Sequence, residues 1–330
     1  MSSGVATILV PSSLDPETAF GFVANLDAHL SAQEVVIDFD KLRNIEPFGL
    51  LYVGAALRIF FRKRGHRGIG ACGVRAGEPA HEYLAHIGFF QWLGIGVGKT
   101  PGAASGGATW LPVTTITRME LDKRMAETGK PLGSVIHNEC ERLARLVTQS
   151  HQLKVNAPLA YCLREVIRNV FEHAQTDRCV LCVQKCSDGN VELAVIDQGR
   201  GIRRSLEERF NFDTDQEALR HALQPGVSRT PSNDPEDPWG NSGFGLFVLS
   251  ELGRELGIFR IISGTAALCL ALEEVREEEA AFQGTAIQLR LRRPSGRNLS
   301  QCIESIIARG EATSIGERAR RASKSTRNLS

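Results

Sequence analysis

The first 100 residues alternate between two hydrophobic periods, one typical of strands and one typical of helices. Short apolar runs at 6–10, 34–39 and 68–74 predict strands of the buried type. Longer segments with the spacing of amphipathic helices lie between and after them, at 16–30, 50–62 and 79–87, and Asp15 is placed to cap the first. Strands that alternate with helices predict an α/β unit with a largely covered sheet.

A helix-like segment at 159–174 organises the rest of the chain. Its apolar residues recur at helical spacing and predict one buried stripe: Leu163, Val166, Ile167, Val170, Phe171 and Ala174. Glu165, Asn169 and His173 are four residues apart and form a polar stripe along its edge. We expect three charged residues on the outward arc: Arg164, Arg168 and Glu172. The polar stripe could hold a metal ion and a reacting water, or it could be the edge of an ordinary amphipathic helix.

Two glycine motifs follow downstream. The strand-like run 191–196 ends in D-x-G-x-G, formed by Asp197, Gly199 and Gly201. A G-x-G motif, Gly243-Phe244-Gly245, then opens a helix-like segment and is followed by Leu246. A lone D-x-G-x-G often marks only a turn, so each motif alone is weak. The order E-x-x-x-N, D-x-G-x-G, G-x-G is more specific.

This ordered trio resembles the ATP-binding module of the GHKL family. Gyrase-type topoisomerases, heat-shock-90 chaperones, mismatch-repair ATPases and bacterial histidine and anti-sigma kinases share that module. The resemblance covers residues 130–292. It implies an α+β two-layer sandwich of the Bergerat ATP-binding type, with ATP and Mg²⁺ as cofactors.

The resemblance assigns Asp197 to the adenine side of the site. There its carboxylate would accept a hydrogen bond from the adenine amino group. Gly199 and Gly201 would form the turn beside the base, because glycine allows a close backbone approach. Thr285 matches a family position near the base.

On the phosphate side, Asn169 would give an amide oxygen to Mg²⁺, which prefers hard oxygen ligands. The G-x-G segment would meet the phosphates through backbone N–H groups at the start of its helix. Glu165, one turn before Asn169, would be the general base that takes a proton from water or a substrate hydroxyl. A proline-rich lid at 225–238 would close over ATP.

Three further residues each have two interpretations. We favour a structural role for His173 over a place in the phosphate or metal shell. We interpret His137 as a surface histidine rather than a phosphoacceptor. Arg229, in the predicted lid, is interpreted as solvated rather than bound to phosphate.

The stretch 35–50 resembles the STAS domain of anti-sigma-factor antagonists, in which an acid-Ser-Ser-Gly-Leu loop precedes a helix. Here the loop reads Glu46-Pro47-Phe48-Gly49-Leu50. Pro47 and Phe48 carry no hydroxyl, so the loop cannot be phosphorylated in the manner of those antagonists. A STAS-like α/β domain is therefore predicted for residues 1–100, with a generic interaction domain as the alternative.

The remaining segments separate and close these domains. Residues 101–129 are predicted as a linker and an entering strand, the strand at 110–117. Gly98-Lys99-Thr100 is not a P-loop, because the first glycine of that pattern would fall on Leu93. Two closing strands, 259–272 and 284–291, flank the acidic run 273–279, which is predicted to be a solvated hairpin loop. The basic, Ser/Arg-rich tail 293–330 is predicted to be disordered, with a docking helix as the alternative.

The composition of the chain mainly indicates the cellular compartment and the kinds of partner to expect. The 330 residues are 42% hydrophobic and 23% charged, with a formal net charge of +1, which predicts no general attraction to nucleic acid or membrane. No apolar run approaches membrane-spanning length and no leader pattern is present, so we expect a cytoplasmic protein. Strand alternation sends Cys179 and Cys182 to opposite faces, which argues against a metal cluster with Cys186.

Three functions remain open at this stage. The resemblance favours a Mg-dependent kinase of the anti-sigma type that phosphorylates Ser or Thr on a regulatory partner protein, itself a candidate STAS protein. An ATPase that works as a conformational switch is the second, and a non-catalytic nucleotide-binding regulator is the third. The sequence leaves a homodimer open.

Overall fold

The computed structural model describes residues 4–103, 110–148, 152–185, 189–228, 242–272, 274–292 and 296–313. The chain is mixed α/β with open sheets. Its internal contacts divide it into two units, one with residues up to 105 and 112–115, the other with 106–111 and residues from 116 onward. None of the described helices is long and apolar enough to span a membrane.

The N-terminal unit contains a three-stranded parallel sheet. Its order is β1-β3-β5, with β1 (Val5–Leu9), β3 (Glu34–Asp38) and β5 (Ile69–Cys72). A short parallel pair forms from β2 (Ser13–Leu14) and β4 (Asn44–Ile45). The helices are α1 (Pro16–Leu26), α2 (Pro47–Lys63), α3 (Pro79–His86) and α4 (Phe89–Trp92), with a 3-10 turn at Asp27–His29. The three strands and three helices predicted for this region are therefore present.

Local chemistry explains where these helices begin. The Asp15 side chain accepts a 2.9 Å hydrogen bond from the Thr18 backbone N–H and so caps α1. Helix α2 starts earlier than predicted, because Pro47 suits the first helical position, where no N–H partner is needed. Phe48 follows it and is fully buried.

A five-stranded sheet forms the centre of the second unit. Its order is β6-β7-β8-β10-β9, with β6 (Trp110–Thr117), β7 (Arg178–Lys185), β8 (Val191–Asp197), β9 (Gly257–Ala271) and β10 (Glu274–Leu291). The pairs β7–β8, β8–β10 and β10–β9 are antiparallel. The β8–β10 register sets Thr285 opposite Asp197.

Seven described helices accompany this sheet: α5 (Arg118–Thr128), α6 (Leu132–Thr148), α7 (Leu153–His173), α8 (Ile202–Leu206), α9 (Asp215–Ala222), α10 (Gly245–Leu256) and α11 (Gly296–Thr313). Inward residues of α6, α7, α10 and α11 share one core with alternate residues of the strands. The unpredicted helix α5 falls in the segment interpreted as a linker. Its signal is the capping box between Thr117 and Glu120.

The predicted disorder of the tail is wrong for residues 296–313, which form α11. Four of its apolar residues recur at helical spacing and are buried: Leu299, Ile303, Ile306 and Ile307. The helix packs on α7 and α10. The docking-helix alternative therefore describes this segment, while residues 293–295 and 314–330 lie outside the described residues.

The predicted acidic hairpin loop is also wrong. Residues Glu274–Glu279 continue β10 and pair with β9 from Ala271 to Ala266. Side chains alternate along a strand, so several of the carboxylates stay exposed while the backbone is paired. Glu277 also forms an ion pair with Arg220 of α9.

Candidate functional site

One pocket of the second unit gathers residues from distant parts of the chain. It encloses about 900 Å³, counting space open to solvent. Seven of the residues predicted for the ATP site line it: Glu165, Asn169, Asp197, Gly243, Gly245, Leu246 and Thr285. They come from α7, the end of β8, the start of α10 and β10, so the sheet and two helices together form the pocket.

Asp197 lies at the end of β8, where only 5% of the residue is exposed. Its Oδ1 accepts a 2.8 Å hydrogen bond from the Gly199 backbone N–H. Thr285, opposite it on β10, also donates to the carboxylate from its backbone and its hydroxyl. Burial raises the pKa of Asp197 to about 7, and these hydrogen bonds limit the rise.

Glu165 is buried on the side of α7 that faces α10. One oxygen, Oε1, accepts hydrogen bonds from Arg164 Nε at 3.1 Å and Nη2 at 2.8 Å. The other, Oε2, lies where a side chain at Gly245 would be, since a Cβ there would come within 2.5 Å of it. Gly245 therefore allows the first turn of α10 to approach the Glu165 carboxylate.

The G-x-G turn is hydrogen-bonded to the first residues of the predicted lid. Gly226 N–H donates to the Gly243 carbonyl at 3.1 Å. Gly243 has a φ of 75°, and a Cβ there would meet the Gly226 and Val227 backbone at 2.5–2.7 Å. Glycine is required at this position on both counts. Residues 229–238 of the predicted lid, with Arg229, lie outside the described residues.

Asn169 lies one turn after Glu165 and lines the same pocket. Its Nδ2 is buried and has no hydrogen-bond partner in the described part of the chain. Because the two amide positions can be exchanged by a flip, either a donor or a carbonyl oxygen can point to this place. An unsatisfied buried amide suits a side chain that binds a ligand.

An apolar wall closes one side of the pocket, and of its residues only Leu246 was predicted as part of the site. It is made of residues from α8, α9, the following turn and α10: Ile202, Leu206, Ala222, Val227 and Leu246. The sequence signal in this part of the chain is two segments with helical spacing, 205–210 and 216–223. A wall of this kind can pack against a flat aromatic ligand.

Three predicted site residues do not line the pocket. Gly199 and Gly201 border a separate depression, although Gly199 still donates to Asp197. The expectation for Phe244 needs correction, because its side chain is fully buried in the core. Its ring packs edge-to-face on Phe247 and lies beside Gly310 of α11.

The expectation of an outward arc on α7 is also wrong. Arg164 is 3% exposed, its guanidinium lies 5.0 Å from the Tyr161 ring centroid, and its charge acts on His137 of α6. Arg168 is buried and holds Glu172 through two hydrogen bonds of 2.8 and 3.1 Å. Helices α6 and α11 both pack on α7, so little of its surface stays open.

The two histidines have different surroundings. His173 lines the pocket, and its carbonyl accepts a 2.9 Å bond from the Ser205 hydroxyl. His137 is half-buried beside Glu141, and burial together with the Arg164 charge lowers its pKa. His137 is therefore less exposed than the surface histidine that was predicted.

The cysteines of β7 lie on opposite faces of the sheet, as predicted. Cys179 belongs to the helix-side core, whereas the Cys182 thiol donates to the Leu111 carbonyl at 3.4 Å. Cys186 lies outside the described residues. Within the described ranges, no group of three or more His, Cys, Asp or Glu is placed to hold a metal ion.

Comparisons of the chain with protein-family models, with curated proteins and with solved structures each return no match.

Proposed function

We propose that the protein is a Mg-dependent ATP-binding regulator that transfers the γ-phosphate to a Ser or Thr of a partner protein, as anti-sigma kinases do. The observation that carries the proposal is the convergence of Glu165, Asn169 and Asp197 on one pocket with the Gly243–Leu246 segment. These residues are separated by up to about 80 positions in the sequence, and the pattern E-x-x-x-N, D-x-G-x-G, G-x-G predicts that they meet. The second unit then corresponds to a Bergerat-type domain and the first to a STAS-like domain.

The adenine base fits the end of the pocket at Asp197. A carboxylate already held by Gly199 and Thr285 is preorganised to accept a hydrogen bond from the adenine amino group. The apolar wall from Ile202 to Leu246 offers a surface for the ring. The phosphates would then reach the G-x-G turn, where the first turn of α10 presents backbone N–H groups.

A Mg²⁺ ion fits Asn169, whose buried amide nitrogen has no hydrogen-bond partner within the described ranges. When bound, the ion would supply charge neutralisation at the phosphates. Since protein ligands for a complete metal site are not grouped in the described ranges, the nucleotide itself would complete the coordination.

Glu165 is the candidate general base of this pocket. Its Oε2 points toward the start of α10, on the phosphate side of the proposed site. There it could take the proton from a partner's hydroxyl or from water. Arg164 holds the other oxygen in place.

The first experiment tests nucleotide binding through Asp197. We expect Asp197→Asn to weaken Mg-ATP binding at least about tenfold, since a hydrogen bond to a charged group contributes roughly 1.5–3 kcal/mol. The matched control is Glu192→Gln, which removes another buried carboxylate of β8 that lies outside the pocket. Calorimetric titration of the wild type and both variants gives the affinities.

Equal Mg-ATP affinity in the wild type and Asp197→Asn would contradict the assignment. A comparable loss of Mg-ATP affinity in Glu192→Gln would show that the weaker binding comes from disturbing β8 and not from the pocket.

The second experiment tests whether Glu165 is a general base and whether the reaction is transfer or hydrolysis. We expect Glu165→Gln to keep Mg-ATP affinity within about threefold and to lower turnover by about 10²–10⁴, the usual contribution of a general base. Turnover is followed with γ-labelled ATP in cell extract, where label on a protein band indicates transfer and free phosphate indicates hydrolysis. Glu207→Gln, which changes an exposed carboxylate at the end of α8 outside the pocket lining, is the control.

A non-catalytic nucleotide-binding regulator is the second candidate, and one contact favours it. One oxygen of the candidate base is already engaged by Arg164. If the wild type binds Mg-ATP but neither transfers nor hydrolyses its γ-phosphate, the protein is a non-catalytic regulator. Release of phosphate without a labelled partner would instead indicate the ATPase switch.

A further inference from the structure

Ser228 is a pocket residue whose hydroxyl has no partner among the described residues. Only 5% of the residue is exposed, and it lines the same pocket as Glu165 and Asp197. Its Oγ is buried and makes no hydrogen bond within the part of the chain that the structure describes. Leaving a buried hydroxyl unpaired costs roughly 1–3 kcal/mol, so a partner is expected from a ligand.

Other buried serines of this unit are paired. The Ser205 hydroxyl donates to the His173 carbonyl at 2.9 Å, and that of Ser250 donates to the Phe247 carbonyl at 2.8 Å. The Ser263 hydroxyl donates to the Gly284 carbonyl at 2.8 Å. The free hydroxyl of Ser228 is therefore a property of the pocket and not of buried serines in this chain.

The backbone around Ser228 is held in place. Its carbonyl accepts a 2.7 Å hydrogen bond from Arg209 Nη1. Two residues earlier, Gly226 is bonded to Gly243 of the G-x-G turn. Because the segment is fixed on both sides, the hydroxyl is presented to the pocket beside that turn.

We propose that the Ser228 hydroxyl donates a hydrogen bond to a phosphate oxygen of the bound nucleotide. The inference rests on the proposed function. Ser228 lies two residues after Gly226, which bonds to Gly243 on the proposed phosphate side, whereas Asp197 and Thr285 pair with each other on the proposed adenine side. Its contact is thus with the phosphates rather than with the base.

The test compares nucleotides with the nucleoside. Calorimetry measures Mg-ATP, Mg-ADP and adenosine binding to the wild type, Ser228→Ala and Ser228→Thr. We expect Ser228→Ala to bind ATP and ADP about 5- to 15-fold more weakly and adenosine with unchanged affinity, since the lost bond is one to a charged group. Ser228→Thr, which keeps the hydroxyl, restores most of the affinity.

The control is Ser250→Ala, which removes a buried, paired hydroxyl outside the pocket lining and leaves all three affinities unchanged. The melting temperature of ligand-free Ser228→Ala is expected to equal or exceed that of the wild type, because an unpaired buried hydroxyl is removed.

Unchanged ATP affinity in Ser228→Ala would overturn this inference but not the proposed function. An equal loss of affinity for adenosine and for ATP would have the same meaning. A folded wild type that binds none of the three ligands would overturn the proposed function together with the inference.

Discussion

At the scale of single residues, the pocket brings charged and polar groups into an environment that raises the free energy of their charged or unpaired forms. Asp197 is the clearest case, because its pKa rises from 3.8 to about 7 through burial. Arg164 and Glu165 compensate each other in the same helix, as do Arg168 and Glu172. Removing one member of such a buried pair is more costly than removing both.

The raised pKa of Asp197 predicts a pH-dependent stability. Between about pH 4 and pH 7 the folded chain holds a proton on this group that the unfolded chain has lost. The stabilisation is therefore fully present below the unfolded pKa and is lost as the pH rises through about 7. A shift of about three units corresponds to at most on the order of 4 kcal/mol.

We expect Asp197→Asn, which cannot ionise, to gain free energy of unfolding relative to the wild type between about pH 5 and pH 8, by roughly 2–3 kcal/mol. Urea denaturation of both proteins at the two pH values measures this gain. Comparing the two proteins at each pH cancels the contributions of the other titrating groups. Comparing the two pH values then cancels the pH-independent effect of the amide on stability. A difference that does not change with pH would show that burial leaves Asp197 with an ordinary pKa.

At the scale of elements, close approaches decide how the helices pack around the pocket. Gly245 lets α10 meet α7 at Glu165, and Gly310 lets α11 meet the aromatic rings of α10. Helix α11 also contributes Ile303 and Ile306 to the core beneath α7, and both are fully buried. The C-terminal helix is thus a part of the domain that supports the site.

Ile303→Ala tests this role of α11. We expect it to lower the free energy of unfolding by about 2–5 kcal/mol, the usual cost of truncating a buried isoleucine. Glu304→Ala, at the exposed neighbouring position, is the matched control and should change stability by less than about 0.5 kcal/mol. The measurement is the urea midpoint of each variant. Equal midpoints for the two variants would mean that α11 is not docked in solution.

At the scale of the whole molecule, every residue of the proposed site belongs to the second of the two units. The first unit has its own parallel sheet and its own buried aromatic residues, among them Phe39, Phe48 and Phe89. Phe48 stands where the STAS resemblance would have a serine, and it is fully buried at the start of α2. A phosphate acceptor for the proposed kinase is accordingly expected on another protein.

Much of the secondary structure could be predicted from the sequence. The spacing of hydrophobic residues and the residues that cap helices or form turns depend only on neighbouring positions in the chain. Three strands and three helices of the first unit, together with α7, β7 and β8, are predicted from hydrophobic period, caps and turns. The linear pattern of Glu165, Asn169, Asp197 and the G-x-G segment also predicts residues that line one pocket, although Phe244, Gly199 and Gly201 do not line it. The capping box of α5 shows that a local signal can also be overlooked.

Only the tertiary structure decided which polar groups are buried and what they contact. An amphipathic helix has the same sequence pattern whether one or two of its sides are covered, so the sequence does not predict that Arg164 and Arg168 are buried. Arg164 lies near His137 of α6, and Arg168 lines the pocket. The docking of α11 and the apolar wall of the pocket likewise depend on contacts between residues far apart in sequence. The burial of the Ser228 hydroxyl without a partner among the described residues is also a result of packing. The sequence by itself determined the elements and the candidate chemistry, and packing determined the electrostatic environment in which that chemistry would occur.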